Sequence, residues 1–290
     1  MIGHRLVEML SKRGYSVHLL STGKGLSSPV PVSYWDYQKG IVDKQVILDA
    51  TCIIHLAGAG IGDKRWSRKR KQEILDSRVS TSQLILKIIR ENRNNLKTFI
   101  SASATGYYGS VTSGKIFNEN DPPANDFTGR VCQRWEEVAD NFETIGIRTV
   151  KIRTGIVLAK NGGVLAAVNK LLHYGFILIP GNGDQYLPWI HLDDLCRVYL
   201  KAIVDETMRG AINAVAPEPD TMNQFMSVVA EFGKKKLLRL HICGSILKII
   251  KGEMADILLK GSRVSPSVLK NTGFTFGYPS LSAALEDLLH

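Results

Sequence analysis

The sequence predicts an α/β fold, a doubly wound parallel sheet with a smaller, mostly helical C-terminal lobe. Three observations carry that reading. Short apolar runs alternate with amphipathic helical patterns through the first half of the chain, the rhythm of repeated strand–helix–strand units. The regularity loosens after about residue 155, where turns and shorter helices take over. And 290 residues suffice for one large α/β domain with a companion lobe and a sizeable core.

The elements follow in order. Leu6, Val7 and Leu10 share one helical face from the start of the chain, Lys12 and Arg13 occupy the last turn, and Gly14 ends it. Residues 15–20 are a short apolar run after that turn, the pattern of a buried parallel strand, and 32–37 form another. Residues 51–56, rich in isoleucine, make a strand that ends in Ala57-Gly58-Ala59-Gly60. A long helix is expected over 67–92, a strand over 98–103, a helix over 129–144 and a strand over 148–153. Gly162-Gly163 precede a helix at 164–174, and Pro180-Gly181-Asn182-Gly183-Asp184 is a turn-rich stretch. Short strands at 189–191 and 211–215 flank a helix at 194–205. Beyond Pro217 come helices and short connections, ending in the amphipathic segment 281–289.

The first helix has a chemical implication. Met1-Ile2-Gly3-His4 reads as the tail of a dinucleotide-binding glycine motif whose front is absent. Gly3 would be its last glycine, the one that permits close helix–strand packing. In such a motif the turn N–H groups and the helix N-terminus hold a pyrophosphate. Taken alone, Gly3 is equally a flexible terminal residue. The absent strand would lie between the strands at 15–20 and 51–56. The chain as written is therefore expected to bind cofactor weakly and to be less stable than an extended version.

Composition narrows the classes. The net charge is +10, concentrated in the run 64–71 and in Lys234-Lys235-Lys236. Such clusters steer phosphorylated ligands or contact nucleic acid, or are simply a solvated helix face. No aromatic RNA-binding signature or zinc-finger spacing accompanies them, which ranks nucleic acid last. The four cysteines, Cys52, Cys132, Cys196 and Cys243, form no CxxC pair and no zinc spacing with histidine, so a reduced, cytoplasmic protein without a metal site is expected. No apolar stretch approaches the roughly 18 residues of a membrane span, and no membrane partner is expected.

Further motifs are more specific together than singly. In order they are His55-Leu56-Ala57-Gly58, Ser101-Ala102-Ser103-Ala104-Thr105-Gly106-Tyr107-Tyr108-Gly109, Arg153-Thr154-Gly155-Ile156-Val157-Leu158, Gly162-Gly163, Trp189-Ile190-His191-Leu192-Asp193-Asp194, Asn213-Ala214-Val215-Ala216-Pro217, and Pro266 with Gly273-Phe274. At these spacings the chain resembles the extended short-chain dehydrogenase/reductase superfamily, and within it the epimerase family proteins of the sugar-nucleotide epimerase-like group. The resemblance implies a Rossmann-type NAD(P)-binding domain over 1–155, rejoined by 190–216, with 156–189 and 217–290 as the substrate-side lobe. It implies an oxidoreductase or epimerase acting on a small molecule, a nucleotide sugar being one option; a monomer or homodimer is expected.

It also implies residue roles. The backbone of Leu56, Ala57 and Gly58 would pass the pyrophosphate and ribose, and Ser101 and Arg153 would lie near the cofactor. Asp36 would reach the adenine edge, or form a turn. Arg78 would approach the cofactor, or pair with Glu73 or Asp76 on its own helix. At the end of the second family strand stand Ser21-Thr22-Gly23-Lys24. With no carboxylate there to bind the 2′-hydroxyl of NAD, and with Lys24 able to meet a phosphate, NADP is expected over NAD.

The catalytic pattern departs from the superfamily, whose Tyr acts as acid/base and whose Lys four residues later lowers the Tyr pKa. Those positions fall on or near Thr128 and on Cys132. Cys132 would line the cofactor side as a small apolar residue or a reactive thiol. Substitute candidates are Ser103 and Thr105 for the substrate oxygen, Tyr107 and Tyr108 as phenols, of which Tyr108 matches a family Tyr that is usually structural and Tyr107 is the one expected to face the pocket, and His191 as a proton shuttle or, more commonly for a His between apolar neighbours, a hydrogen-bonded structural residue. Gln185, Trp189 and Asp194 belong to segments that line the cleft in relatives, and Asp194 is alternatively a helix cap. A non-catalytic NADP(H) sensor or scaffold is the second functional reading, and a nucleic-acid-binding protein the third.

Overall fold

A computed structural model of the chain describes residues 1–23, 25–160, 162–232 and 237–289. Helix α1 (Ile2–Ser11) buries Leu6, Val7 and Leu10. Gly14, with φ +79°, turns the chain out of it, and the Tyr15 N–H returns to the Leu10 carbonyl at 3.2 Å, closing the helix end. Two short strands follow, β1 (Leu19–Ser21) and β2 (Val32–Tyr34). Helix α2 (Lys44–Asp49) leads to β3 (Cys52–His55), α3 (Arg68–Glu91) and β4 (Thr98–Ala104). A 3₁₀ turn over Thr105–Tyr108 and the short β5 (Ile116–Phe117) precede α4 (Phe127–Glu143) and β6 (Arg148–Thr154). Helix α4 begins two residues before its expected start because the Asp126 carboxylate accepts the Gly129 N–H at 2.8 Å, an N-cap.

Beyond β6 lie β7 (Ile156–Leu158), α5 (Gly163–His173), β8 (Phe176–Pro180), β9 (Tyr186–Leu187), β10 (Trp189–His191), α6 (Leu192–Val204) and β11 (Gly210–Ala214). The remainder comprises β12 (Asp220–Thr221), α7 (Met222–Glu231), β13 (Leu238–Ile242), α8 (Gly244–Lys251), α9 (Asp256–Leu259), β14 (Arg263–Val264), α10 (Ser267–Asn271) and α11 (Leu281–Leu289).

The central sheet has the order β11-β6-β4-β3, all parallel. Successive residues of β4 face opposite layers. Ile100 joins a core with α1 and α6 that includes Leu6, Leu10, Leu195 and Tyr199. Phe99 joins a core with α3 and α4 that includes Ile85, Ile89 and Phe142, where the Phe99 and Phe142 rings stack at 3.8 Å. Helices therefore cover both faces, and the fold is the predicted doubly wound α/β type.

The ladders are not continuous. Among the described residues β1 pairs with β2 alone and β3 with β4 alone. The strand expected at 15–20 is consequently shorter than its apolar run, because only Leu19, Leu20 and Ser21 pair with a neighbouring strand. Tyr15 is exposed. A third core, built on Leu165, Ile177, Trp189, Phe225 and Leu285, packs α5, β8, α7 and α11 around the parallel pair β8–β13, and supplies more strand than the helical tail expected there.

Candidate functional site

The carboxyl ends of β3, β4 and β6 lie side by side in register, with His55 opposite Ser101 and Ser103 opposite Arg153. After β3 the side chains of Leu56 and Ala57 pack into the cores on the two faces of the sheet, and the chain runs on through Gly58 and Gly60, which are exposed. Helix α3 holds this loop. Ser77 Oγ accepts the Ala59 N–H at 2.8 Å, and Arg78 Nη1 donates to the carbonyls of Ala59 at 3.0 Å and Ile74 at 2.8 Å. A Cβ on Gly58 would stand 2.9 Å from the Arg78 Cζ, so glycine is what allows the loop to close on this guanidinium. Arg78 makes no ion pair with Glu73 or Asp76; its Nε and Nη2 have no hydrogen bond among the described residues. A glycine-bearing backbone beside a cation with unused N–H groups fits a phosphate-bearing cofactor.

The other expected cofactor contacts are dispersed. A Cβ on Gly3 would meet Leu56 Cδ1 at an ordinary 3.8 Å, so close packing does not require glycine there. Ser21 Oγ accepts the Gly23 N–H at 3.1 Å, Thr22 is exposed, and Lys24 lies outside the described residues. Asp36 accepts the backbone N–H groups of Gln38 at 3.1 Å and Lys39 at 3.2 Å, the turn-forming arrangement. Ser101 is buried and donates to the Ala102 carbonyl at 2.9 Å.

Beside the loop, His55 is buried between Thr81, whose hydroxyl is 2.8 Å from Nε2, and Ser82, 3.2 Å from Nδ1. Burial brings its imidazole down to about 3, and Arg78 adds to the effect. The unfolded chain takes up this proton near 6.5 while the folded chain does not, so the stability it contributes is complete above the unfolded value and is lost as pH falls toward the folded one. At about pH 5 the expected loss is about 2 kcal/mol, read as a lower urea midpoint. His55→Gln, which cannot titrate, should flatten that limb; an unchanged slope would count against the assignment.

The catalytic candidates divide sharply. Ser103 is 3% exposed and donates to Glu136 Oε1 at 2.7 Å. Arg153 makes a two-pronged pair with the same carboxylate, both contacts at 2.8 Å. Its Nη1 donates to the Tyr108 hydroxyl at 2.9 Å and to the Glu119 carbonyl at 3.1 Å. Tyr108 in turn donates to Asn213 Oδ1 at 2.7 Å, and burial raises its phenol to about 12. The pairing outweighs burial at Arg153 and raises its pKa. Ser103, Tyr108 and Arg153 thus spend their polar atoms on one another, on Glu136 and on Asn213, and do not face an open cleft.

Two neighbours are less enclosed. Thr105 is half-buried, with no side-chain hydrogen bond among the described residues. Tyr107, also half-buried, lays its ring over Arg153, with Cζ 3.5 Å from the ring centroid. Burial raises the Tyr107 pKa and Arg153 opposes that rise; the phenol is protonated at neutral pH.

Thr128 donates to Asp126 at 2.9 Å. Cys132 is buried, and burial, reinforced by Glu136, pushes its thiol up to about 12, which makes it an inert small hydrophobe.

His191 is likewise held inside. It is 3% exposed, its Nδ1 accepts the Asp193 N–H at 3.1 Å as the cap of α6, and its ring stacks on Tyr278 at 3.7 Å. The Nε2 lies 3.2 Å from Asp287, and burial, opposed by that carboxylate, lowers its pKa. Asp194 does not cap α6; it accepts the N–H groups of Gly277 at 2.8 Å and Tyr278 at 2.9 Å, tying down the C-terminal segment. Trp189 is a core residue bonded to Asp220 at 2.7 Å, and Gln185 donates to the carbonyls of Pro180 and Leu258 at 3.0 and 2.7 Å.

Glu136, Glu119 and Asn213 organise this region and were not among the expected site residues. Two carried a signal: Glu136 is a carboxylate one turn beyond Cys132 on α4, and Asn213 opens the motif Asn213-Ala214-Val215-Ala216-Pro217. Among the described residues no group of three or more His, Cys, Asp or Glu is placed to hold a metal ion.

Residues 1–214 match the model of the NAD dependent epimerase/dehydratase family, and 244–288 match a domain of unknown function, DUF1731. An epimerase family protein of Mycobacterium leprae is 34% identical over 255 residues, 87% of this chain and 81% of that protein. One from Staphylococcus saprophyticus is 32% identical, covering 100% of this chain and 96% of its own. The crystal structure of a human epimerase family protein with NADPH superposes with a TM-score of 0.87 at 27% identity, covering 100% of this chain and 96% of that one.

Proposed function

Because the chain belongs to the NAD dependent epimerase/dehydratase family, we propose that it is an NADP(H)-dependent enzyme reducing a carbonyl, or oxidising the corresponding alcohol, on a small molecule. In this reading 1–155 with 190–216 carry the cofactor, and 156–189 with 217–290 carry the substrate. The preference for NADP rests on the absence of a carboxylate at Ser21-Thr22-Gly23 and is supported by the NADPH in the human relative. The loop 57–60 and the free N–H groups of Arg78 would hold its phosphates. Bound NADPH supplies the hydride.

The protein's part is orientation and a proton. The observation that carries the proposal is the pairing of Tyr107 with Arg153 beside the unengaged Thr105 hydroxyl. Thr105 donates a hydrogen bond to the substrate oxygen and fixes its position. Tyr107, protonated at neutral pH, releases its proton to that oxygen as negative charge develops there. Arg153, locked by Glu136, stays cationic beneath the ring and stabilises the phenolate left behind. Thr128 and Cys132 take no part.

A second reading, a non-catalytic NADP(H)-binding protein, is favoured by the inert Thr128 and Cys132 at the positions of the usual acid/base pair. Titration with NADPH followed by fluorescence, then turnover assays over a panel of simple carbonyls and nucleotide sugars, separates the two. Saturable binding with turnover is expected. Binding without turnover would favour the second reading, and no saturable binding would remove both.

A further inference from the structure

Helix α8 turns its apolar side outward. Ile246, Ile249 and Ile250 are 51%, 76% and 59% exposed, and the advance of roughly 100° per residue places them on one arc. Lys248 and Lys251 lie on the opposite arc, and Leu247 is the one buried residue of the helix. A surface helix ordinarily buries its apolar stripe; an exposed one marks a contact surface.

The surroundings of this arc are basic. The Arg65 guanidinium lies against Gly252, directly after α8, where a Cβ would come within 2.9 Å of its Nε. Lys71 pairs with Glu253. These contacts set the run 64–71 beside the C-terminal end of α8, and Lys64, Arg65, Arg68 and Lys69 in that run are exposed. Arg70 is the exception, buried and paired with Glu73 at 2.8 Å. The nearby carboxylates are engaged: Glu253 by Lys71, and Asp256 by Lys260 at 3.4 Å and Lys248 at 3.9 Å. Positive charge is left over around the isoleucines.

That combination selects an occupant. Nucleic acid would use the cations and leave three isoleucines in water. A second copy of the chain would bring like charges together. A neutral bilayer would use the isoleucines and leave the cations idle. A bilayer carrying anionic headgroups uses both, the apolar arc entering the headgroup–acyl boundary while lysine and arginine meet the headgroup charge. We infer that α8 and the run 64–71 form a peripheral docking surface for an anionic membrane. This needs no spanning segment, and no helix among the described residues is long and apolar enough to cross a bilayer.

Vesicle flotation of the full chain tests the inference. The protein should float with vesicles of phosphatidylcholine containing about one-third phosphatidylserine, not with phosphatidylcholine alone, and should be released by added salt. Ile249→Glu with Ile250→Glu should weaken the association by about tenfold or more, with the circular dichroism spectrum and Tm retained. Lys64→Gln and Lys69→Gln, which keep the isoleucines, should each weaken it by about fivefold. No flotation, or equal flotation with both vesicle types, would overturn the inference. So would concentration-dependent dimerisation in light scattering that Ile249→Glu abolishes, or an RNA that displaces the vesicles while Ile249→Glu has no effect.

Discussion

Arg153→Met is expected to lower the unfolding free energy by about 3–5 kcal/mol, the usual consequence of stranding one member of a buried ion pair. The guanidinium is 3% exposed and Glu136 4%, and its loss removes both contacts to the carboxylate together with those to Tyr108 and the Glu119 carbonyl. Glu136 would keep only the Ser103 hydroxyl, too little to offset its lost solvation. Glu136→Leu should destabilise comparably by stranding the cation. The double variant replaces a charge pair by apolar groups of similar volume and should lose far less than the two single losses added together. Urea denaturation of the four proteins measures this cycle; additive losses would show that the pair is not coupled.

Tyr107→Phe is the second large expected effect. With any carbonyl that the unaltered protein reduces, kcat should fall by about 10²–10⁴-fold, the range for losing a positioned general acid, while the NADPH titration stays unchanged. The ring keeps its place over Arg153 in the phenylalanine variant, so packing is preserved and the measurement isolates the hydroxyl. Tyr108→Phe makes the contrast. It breaks the bonds to Asn213 and Arg153 and should appear first in Tm, with a smaller effect on kcat. If Tyr108→Phe abolished turnover and Tyr107→Phe did not, the proton donor would be misassigned.

Element types were readable from local pattern because periodicity reflects which side of a segment is covered. The long apolar periodicity of α3 placed its ends within one residue of Ser67 and Asn92, its observed caps. Residues 15–20 show the limit of that signal. Their composition suits a strand, yet strand length depends on partner strands elsewhere in the chain, and only Leu19 and Leu20 of this run find one. The short strands β8 and β13 were missed for the converse reason, since each exists only through the other across a long sequence separation.

Site residues were harder to read. The motif Ser101-Ala102-Ser103-Ala104-Thr105-Gly106-Tyr107-Tyr108-Gly109 marked the right strand end, but spacing cannot say which hydroxyl points inward. Ser103 and Thr105 are two residues apart; one is bound to Glu136 and the other is unengaged. Tyr107 and Tyr108 are adjacent; one covers Arg153 and the other is sealed against Asn213. For His191 the sequence leaves a proton shuttle and a structural residue both open; the C-terminal segment brings Asp287 and Tyr278 against it.

By itself, then, the sequence determined the alternating elements, the parallel sheet and the glycine-bearing loop after β3. All of these are written in residue type and short-range spacing. Only the tertiary structure decided which polar groups are free, because a hydroxyl or guanidinium is consumed by partners far away in the chain: Glu136 for Ser103 and Arg153, and Asn213 for Tyr108. Burial makes those pairings obligatory, since an unpaired polar group away from water costs more than the hydrogen bond it forgoes.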